Sequence, residues 1–270
     1  MDGDSLTATG LAIATGGGTL EDNLDGTWTY TPDLNDNTDV SFSYSIEDGA
    51  TGTVAGSASL DITAVNDAPI VAAADVTGAV TELGTPSGSL TDSGTITFTD
   101  IDIADVHSLS LVTPSGGALG TLTASVSTDT TGSGTGGVVT WNYSVAASAV
   151  EYLAAGATKV ETFAFNVLDG QGGSVPRTVS VTITGTNDAP QISVDGAAAF
   201  TTGGPAVAVD QSITITDVDN STLAGATIAI TNFQTGDVLT FTAPSGSGIT
   251  GSYSSGESGE HYFLVTIAAR

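Results

Sequence analysis

Phe163-Ala164-Phe165-Asn166-Val167-Leu168-Asp169-Gly170 decides the fold. Aromatic and aliphatic residues occupy alternate positions, as one buried face of a strand requires, and Asp-Gly then marks a turn. A second alternating run, Arg177–Thr184, follows and ends in Thr186-Asn187-Asp188-Ala189-Pro190. Proline cannot donate to a strand ladder and pushes the residue before it into an extended conformation. The phrase therefore closes one sheet and passes a short, stiff connector to the next.

The same text occurs earlier. Phe42 to Pro69 aligns without a gap on Phe163 to Pro190, an offset of 121 residues (66 to 187). Phe42, Tyr44 and Ile46 match Phe163, Phe165 and Val167, and Asp48-Gly49 matches Asp169-Gly170. Val54 and Ile62 match Val175 and Ile183, and Val65-Asn66-Asp67-Ala68-Pro69 is the earlier joint. Upstream, Trp28 and Tyr30 resemble Trp141 and Tyr143. A second repeat aligns Ile96-Thr97-Phe98-Thr99-Asp100-Ile101-Asp102 with Ile213-Thr214-Ile215-Thr216-Asp217-Val218-Asp219, 117 residues on (100 to 217). Repetition at a fixed period means an array of domains. We expect a partial domain over 1–69, a complete one over 70–190 and a second partial one over 191–270, the whole being a piece of a longer array.

Within 70–190 the pattern predicts strands near Thr95–Thr99, Ser108–Val112, Leu119–Ser125, Val138–Val145, Thr162–Val167 and Arg177–Thr184. Ser148–Ala157 reads as a helical turn. Thr128–Gly137, rich in Gly, Thr and Ser, has no periodicity and reads as a mobile loop. The expected core is Ile96, Phe98, Leu109, Leu111, Trp141, Tyr143, Phe163, Phe165, Val167, Val179, Val181 and Ile183.

The chain has 270 residues, of which 30 are acids and only three, Lys159, Arg177 and Arg270, are Lys or Arg, giving a formal net charge of -27. Nucleic acid and anionic membrane surfaces are poor partners for such a surface. No apolar run approaches the roughly 20 residues that span a bilayer, so no membrane insertion is expected. Cysteine is absent, so no disulfide staples these domains. The acids are either solvated or neutralised in part by metal ions.

Strand alternation places some of them. In an Ig-like sandwich the loop between the second and third strands lies at the same end as the loop between the last two. Asp100 and Asp102 thus sit near Asp169, and the joint residues Asn66 and Asp67 should converge on them. By the same logic Asn187 and Asp188 approach Asp217 and Asp219, and Glu82, in the turn after the first strand, adds to this second joint. Asp2, Asp4 and Asp48 would form the corresponding end of the first domain. Hard cations such as Ca2+ take about 6–8 oxygen ligands, which these groups supply with carbonyls and water. A lone Asp-x-Asp is as readily turn chemistry, since Asp bonds its own backbone two residues on; recurrence beside an Asn-Asp joint favours calcium.

Phe98-Thr99-Asp100-Ile101-Asp102 with Asp105 and His107, Tyr152-Leu153-Ala154-Ala155-Gly156, Phe163 to Gly170 and Gly185 to Pro190 together resemble a VCBS-type repeat. Residues 1–69 resemble bacterial cadherin-like repeats, and 191–270 a related type. The resemblance implies an all-β chain of tandem Ig/cadherin-like β-sandwich domains in an elongated array. It further implies calcium at the joints, export by a type I route to the bacterial surface, and an extender role in a large RTX-type adhesin. Its partners would be neighbouring repeats of the same chain and, through other domains, host-surface or matrix glycans or proteins. The alternative is a glycan- or protein-binding module acting through Thr128–Gly137 or the Ser/Gly-rich Thr242–Gly259.

No enzyme is expected. His107 and His261 stand in no triad or zinc spacing, and Gly16-Gly17-Gly18 lacks the lysine and the strand–loop–helix setting of a phosphate cradle. His107 reads as a satisfied polar residue opening a strand, and Trp141 as core.

Overall fold

Two long strands, β13 (Thr158–Leu168) and β14 (Ser174–Thr184), pair antiparallel across the Asp169-Gly170 turn, with Phe163 opposite Val179 and Val167 opposite Val175. The computed structural model describes residues 5–194, 198–199, 201, 203–205, 207–208, 213–230, 249–255 and 261–267. Strand pairing among them falls into three consecutive groups, a tandem of β-structures in which the middle one is a complete two-sheet sandwich.

The first group comprises β1 (Thr7–Thr15), β2 (Thr19–Asp22), β3 (Trp28–Thr31), β4 (Val40–Glu47) and β5 (Thr53–Leu60), arranged as a β1-β4-β5 sheet and a β2-β3 hairpin. The middle group begins with β6 (Ile70–Ala74), β7 (Thr77–Thr81) and β8 (Ser89–Thr99), followed by the short β9 (Ser108–Leu109) and β10 (Thr113–Pro114). Then come β11 (Thr121–Thr128) and β12 (Gly137–Ala146), a single 3-10 turn at Ala147–Ala149, and the β13–β14 pair. One sheet runs β11-β12-β8-β6; the other runs β10-β13-β14-β7, with β9 also on β13. The third group contains β15 (Gln191–Ser193) with β16 (Thr214–Thr216), and β17 (Gly225–Ile230), β18 (Ile249–Ser255) and β19 (His261–Ile267) in the order β17-β19-β18.

The chain changes sheets early: β6 lies antiparallel to β8 in one sheet, and β7 crosses to lie parallel to β14 in the other, Thr77 opposite Ser180 and Thr81 opposite Thr184. The core lies between the sheets. Ile96, Val139, Trp141, Val167, Val179, Val181 and Ile183 are fully enclosed. Trp141 finds room because its partner across the ladder is Gly94, where a Cβ would stand 2.6 Å from the indole Cζ2. Its indole N–H donates to the Asp75 carbonyl at 2.6 Å.

The repeat seen in the sequence is a repeat in space. Tyr143 and Phe163 face each other at 5.7 Å between ring centroids, and Tyr30 and Phe42 do the same at 5.5 Å. Trp28 departs from the pattern: it is 40% exposed, because among the described residues no strand pairs with the free edge of β3.

Four expectations need correction. Leu111 is exposed, not core. The expected Ser108–Val112 strand breaks at Ser110, whose N–H donates to the Asn166 carbonyl while its hydroxyl accepts the Asn166 N–H; this leaves Leu111 pointing outward. The strand expected at Thr95–Thr99 begins at Ser89, since the Asp92 and Gly94 that interrupt the apolar pattern serve Ala79 and Trp141. The Thr128–Gly137 loop is tied down: Thr131 bonds the Asp105 carbonyl, Gly132 that of Ile103, and the Gly134 carbonyl accepts the Asp100 N–H.

Candidate metal centres at the two ends of the middle domain

The β8–β9 loop starts where the Ile96–Thr99 alternation ends, and Asp100 organises it by accepting the Asp102 N–H on Oδ1. Asp105 follows one turn later, its N–H on the Asp102 carbonyl. Asp169 occupies the β13–β14 turn, where Oδ1 takes the N–H groups of Gln171, Gly172 and Gly173. These three buried carboxylates each place an oxygen within 4.8 Å of the others, forming the upper cluster. The joint reaches it as expected: the Asn66 amide donates to Asp169 Oδ2 at 2.9 Å, and the Asp67 N–H donates to Asp102 Oδ2 at 2.7 Å. The Asp67 side chain itself is exposed.

His107 stands behind the upper cluster. Its Nε2 lies 3.0 Å from Asp100 Oδ2 and its Nδ1 2.7 Å from Asp129 Oδ1, with Phe98 packed on the ring at 4.8 Å. Its role as a satisfied polar residue, expected from sequence, matches this placement.

At the other end, Glu82 follows β7 and accepts the Thr186 N–H on Oε2 at 2.8 Å. Glu151 comes from the turn after the 3-10 segment, and the Asp188 side chain points back toward both. Glu82, Glu151 and Asp188 place their oxygens within 4.8 Å of one another, forming the lower cluster. Asp188 also faces forward, its N–H directed at Asp219 Oδ2 at 3.4 Å. Asp217 accepts the N–H groups of Asp219 and Asn220, and the Asn220 amide donates to Asn187 Oδ1 at 3.3 Å. The second joint thus gathers Glu82, Asn187, Asp188, Asp217 and Asp219 in one region.

Asp48 is the exception. It accepts the Ala50 and Gly52 N–H groups in its own turn and joins no acidic cluster among the described residues; its turn chemistry is the duller of the two readings. Asp2 and Asp4 lie outside the described residues, as does most of Thr242–Gly259. Two cluster members, Asp105 and Glu151, were missed by sequence reasoning. The signals available were an acid three residues beyond Asp102, and a lone acid inside the apolar Ala149-Val150-Glu151-Tyr152-Leu153.

The carboxylates are strained electrostatically. Burial raises the Asp105 pKa, and Asp100, Asp102 and Asp169 add to it. Burial raises Glu82 despite the bond from Thr186, with Asp188 and Asp219 contributing, and raises Glu151, helped by Asp188 and Glu82. Asp169 goes the other way: burial opposes, but bonds from Asn66 and the turn amides hold it low. For His107, burial opposes and the bonds to Asp100 and Asp129 prevail, raising its pKa.

A carboxyl whose folded pKa exceeds its unfolded value binds protons more readily when folded, so its contribution to stability grows as pH falls toward the ordinary carboxylate range. The raised His107 acts in the same direction, being most stabilising when protonated. The depressed Asp169 and Asp129 lose their contribution only at lower pH. In chelator, the melting temperature of the middle domain is therefore expected to rise from about pH 7 to about pH 5. A steady fall over that interval would contradict the raised set.

Four buried oxygens have no hydrogen-bond partner and lie in these clusters: Asp105 Oδ2 above, and Glu82 Oε1, Glu151 Oε1 and Asp188 Oδ2 below. A buried carboxylate oxygen left unpaired is costly. Converging anionic oxygens with open lone pairs fit a hard cation such as Ca2+.

A family model described as a cadherin-like domain matches residues 1–63. No curated protein matches the chain. Among solved structures, the human CDH23 EC21-23 fragment is similar at 14% identity and a TM-score of 0.40, over 98% of this chain and 79% of that one. The zebrafish RET cadherin-like domains 1 to 4 are similar at 12% identity and a TM-score of 0.34, over 97% of this chain and 58% of theirs. The surface layer protein SbsC, domains 4–9, is similar at 14% identity and a TM-score of 0.25, over 90% of this chain and 32% of that one.

Proposed function

We propose that the chain consists of calcium-binding extender repeats of a bacterial surface adhesin, exported to the cell exterior, with cation-clamped joints that support attachment by a distant tip. The role is mechanical rather than catalytic. One observation carries it: Glu82, Glu151 and Asp188 bring their carboxylates together where one domain meets the next, and each keeps a buried oxygen without a hydrogen-bond partner. The cadherin-like match over residues 1–63 and the VCBS-like text of the middle domain support the wider reading.

In this reading Glu82, Glu151 and Asp188 hold one cation, and Asp100, Asp105 and Asp169 hold another, with Asp102 alongside. Turning the Asn66 amide over exchanges Nδ2 for Oδ1 and adds a neutral ligand to the upper group. Asn187, Asp217 and Asp219 extend the lower group into the third domain. Main-chain carbonyls and water complete the shell of about 6–8 oxygens. At ten to a hundred times the dissociation constant, each bound ion stabilises by about 1.4–2.7 kcal/mol. That is enough to stiffen a joint without making the fold depend on metal.

Calorimetric titration of the chelator-treated chain is expected to show saturable calcium binding, with a longer and narrower particle by small-angle scattering. Absence of both effects rejects the proposal. The alternative of a glycan-binding loop at Thr128–Gly137 is less favoured, because that loop spends its polar groups on internal bonds to Asp100, Ile103 and Asp105.

A further inference from the structure

The two carboxylate clusters differ in how they are held. Below, three buried oxygens are open, and among the described residues the cluster's side-chain oxygens accept one hydrogen bond, from Thr186. Above, both oxygens of Asp100 are engaged, by the Asp102 N–H and by His107, and both oxygens of Asp169 are engaged, by the turn amides and Asn66. There Asp105 Oδ2 is the one fully buried oxygen without a partner among the described residues.

The share of this difference that lies outside the joint and the turns comes from His107, which takes Asp100 Oδ2, and from the loop behind it. Asp129 grips His107 twice, taking its backbone N–H on Oδ2 at 3.0 Å and facing its ring on Oδ1 at 2.7 Å. Thr130 and Phe98 complete the wall around the ring. The same loop returns to Asp100 through Gly134, whose carbonyl accepts the Asp100 N–H. Gly134 has φ +72, and a Cβ there would stand 2.9 Å from the Asp100 carbonyl oxygen, so the approach requires glycine.

We infer that His107, anchored by Asp129 in the Thr128–Gly137 loop, is a positioning residue that locks Asp100 and keeps the upper joint assembled without a cation, leaving the lower joint as the cation-dependent hinge. The inference deepens the calcium reading and rests on it for the lower joint; the lock itself is a property of the metal-free chain. It assigns the 128–137 loop a task, bracing the joint, in place of ligand capture. It also makes successive joints unequal: one stiff at any calcium level, one that stiffens as calcium rises.

The chain has no cysteine, so pairs of introduced cysteines take spin labels uniquely. Exposed Ser57 and Ser125 bracket the upper joint, and exposed Thr158 and Thr222 the lower. In chelator, the Ser57→Cys/Ser125→Cys pair is expected to give a narrow distance distribution that calcium barely changes. The Thr158→Cys/Thr222→Cys pair should be at least twofold broader and narrow with calcium. Adding His107→Leu should broaden the upper pair at least twofold in chelator, with calcium restoring the narrow distribution. Equal breadth with and without calcium marks a merely structural role and overturns the lock, as does no broadening at all. Asp129→Asn, which keeps the ring and its packing, should broaden the upper pair by less than His107→Leu; no change in it overturns the role of the loop. If calcium alters neither joint in the unsubstituted background, the calcium reading fails, while the His107 contrast in chelator still decides the lock.

Discussion

A Glu82→Gln, Glu151→Gln chain is expected to melt higher than wild type in chelator and lower than wild type in calcium. Glu82, Glu151 and Asp188 place carboxylate oxygens within 4.8 Å of one another with no basic side chain beside them among the described residues. Like charges about 5 Å apart repel by roughly 3 kcal/mol at an effective dielectric near 20. Glu151 is only half-buried, so solvent screens part of this and about 1–2 kcal/mol remains to be gained by neutralising the pair. In calcium the balance reverses. Wild type gains about 2.7 kcal/mol at a hundred times the dissociation constant, and the amides forfeit most of it. Thermal unfolding with and without calcium reads the crossover directly. Destabilisation under both conditions would mean that the carboxylates serve ordinary packing, and that the lower cluster is no cation site.

The second large effect is expected away from any joint. Glu161 is fully buried between the sheets, yet both of its oxygens accept hydrogen bonds. The Leu119 N–H donates to Oε1 at 2.6 Å, the Gly120 N–H to Oε2 at 3.1 Å, and the Tyr143 hydroxyl to Oε2 at 2.9 Å. Burial and then Glu161 push the Tyr143 phenol well above its usual pKa, so it stays a donor. Glu161→Leu removes one acceptor group and strands three donors, at about 1–3 kcal/mol for each left unsatisfied. With part of that cost recovered as the freed donors relax, we expect a loss of about 3–5 kcal/mol. Tyr143→Phe removes a single donor and leaves Glu161 on two amides, for about 1–1.5 kcal/mol. Urea midpoints followed by near-ultraviolet circular dichroism of Trp141 measure both. The penalty should be the same with or without calcium; a calcium-dependent penalty would tie Glu161 to a joint after all.

Side-chain alternation made the β13–β14 pair legible, because a two-residue period survives only where one face is buried and the other is not. The gap-free match of Phe42–Pro69 to Phe163–Pro190 also placed both joints, and with them the convergence of Asn66 on Asp169. Where period fails, legibility failed. Leu111 sits in alternation with Leu109, yet Ser110 turns its hydroxyl into the ladder and throws Leu111 outward. The Thr128–Gly137 loop looked idle because its bonds run to main-chain carbonyls of a distant loop, which leave no trace in local composition. Asp105 and Glu151 stand in irregular turns without repeat counterparts. Only the fold brings Glu151, 69 positions after Glu82 (82 to 151), to the same space.

The crossing of β6 to β7 has a mechanical consequence. In a chain that bears tension as proposed, a pull entering just before Ile70 and leaving just after Thr184 would first load β6 on β8 and then draw β7 and β14 in opposite senses along their shared length. Because those strands are parallel, with Thr77–Thr81 laid against Ser180–Thr184, the load falls on all of their bonds together. An antiparallel terminal pair pulled from one end would instead open bond by bond, like a zipper. Resistance to force is a matter of unfolding rate rather than equilibrium stability. A parallel seam of this kind would let a domain without disulfides resist a steady pull through slow unfolding, whatever its stability at rest.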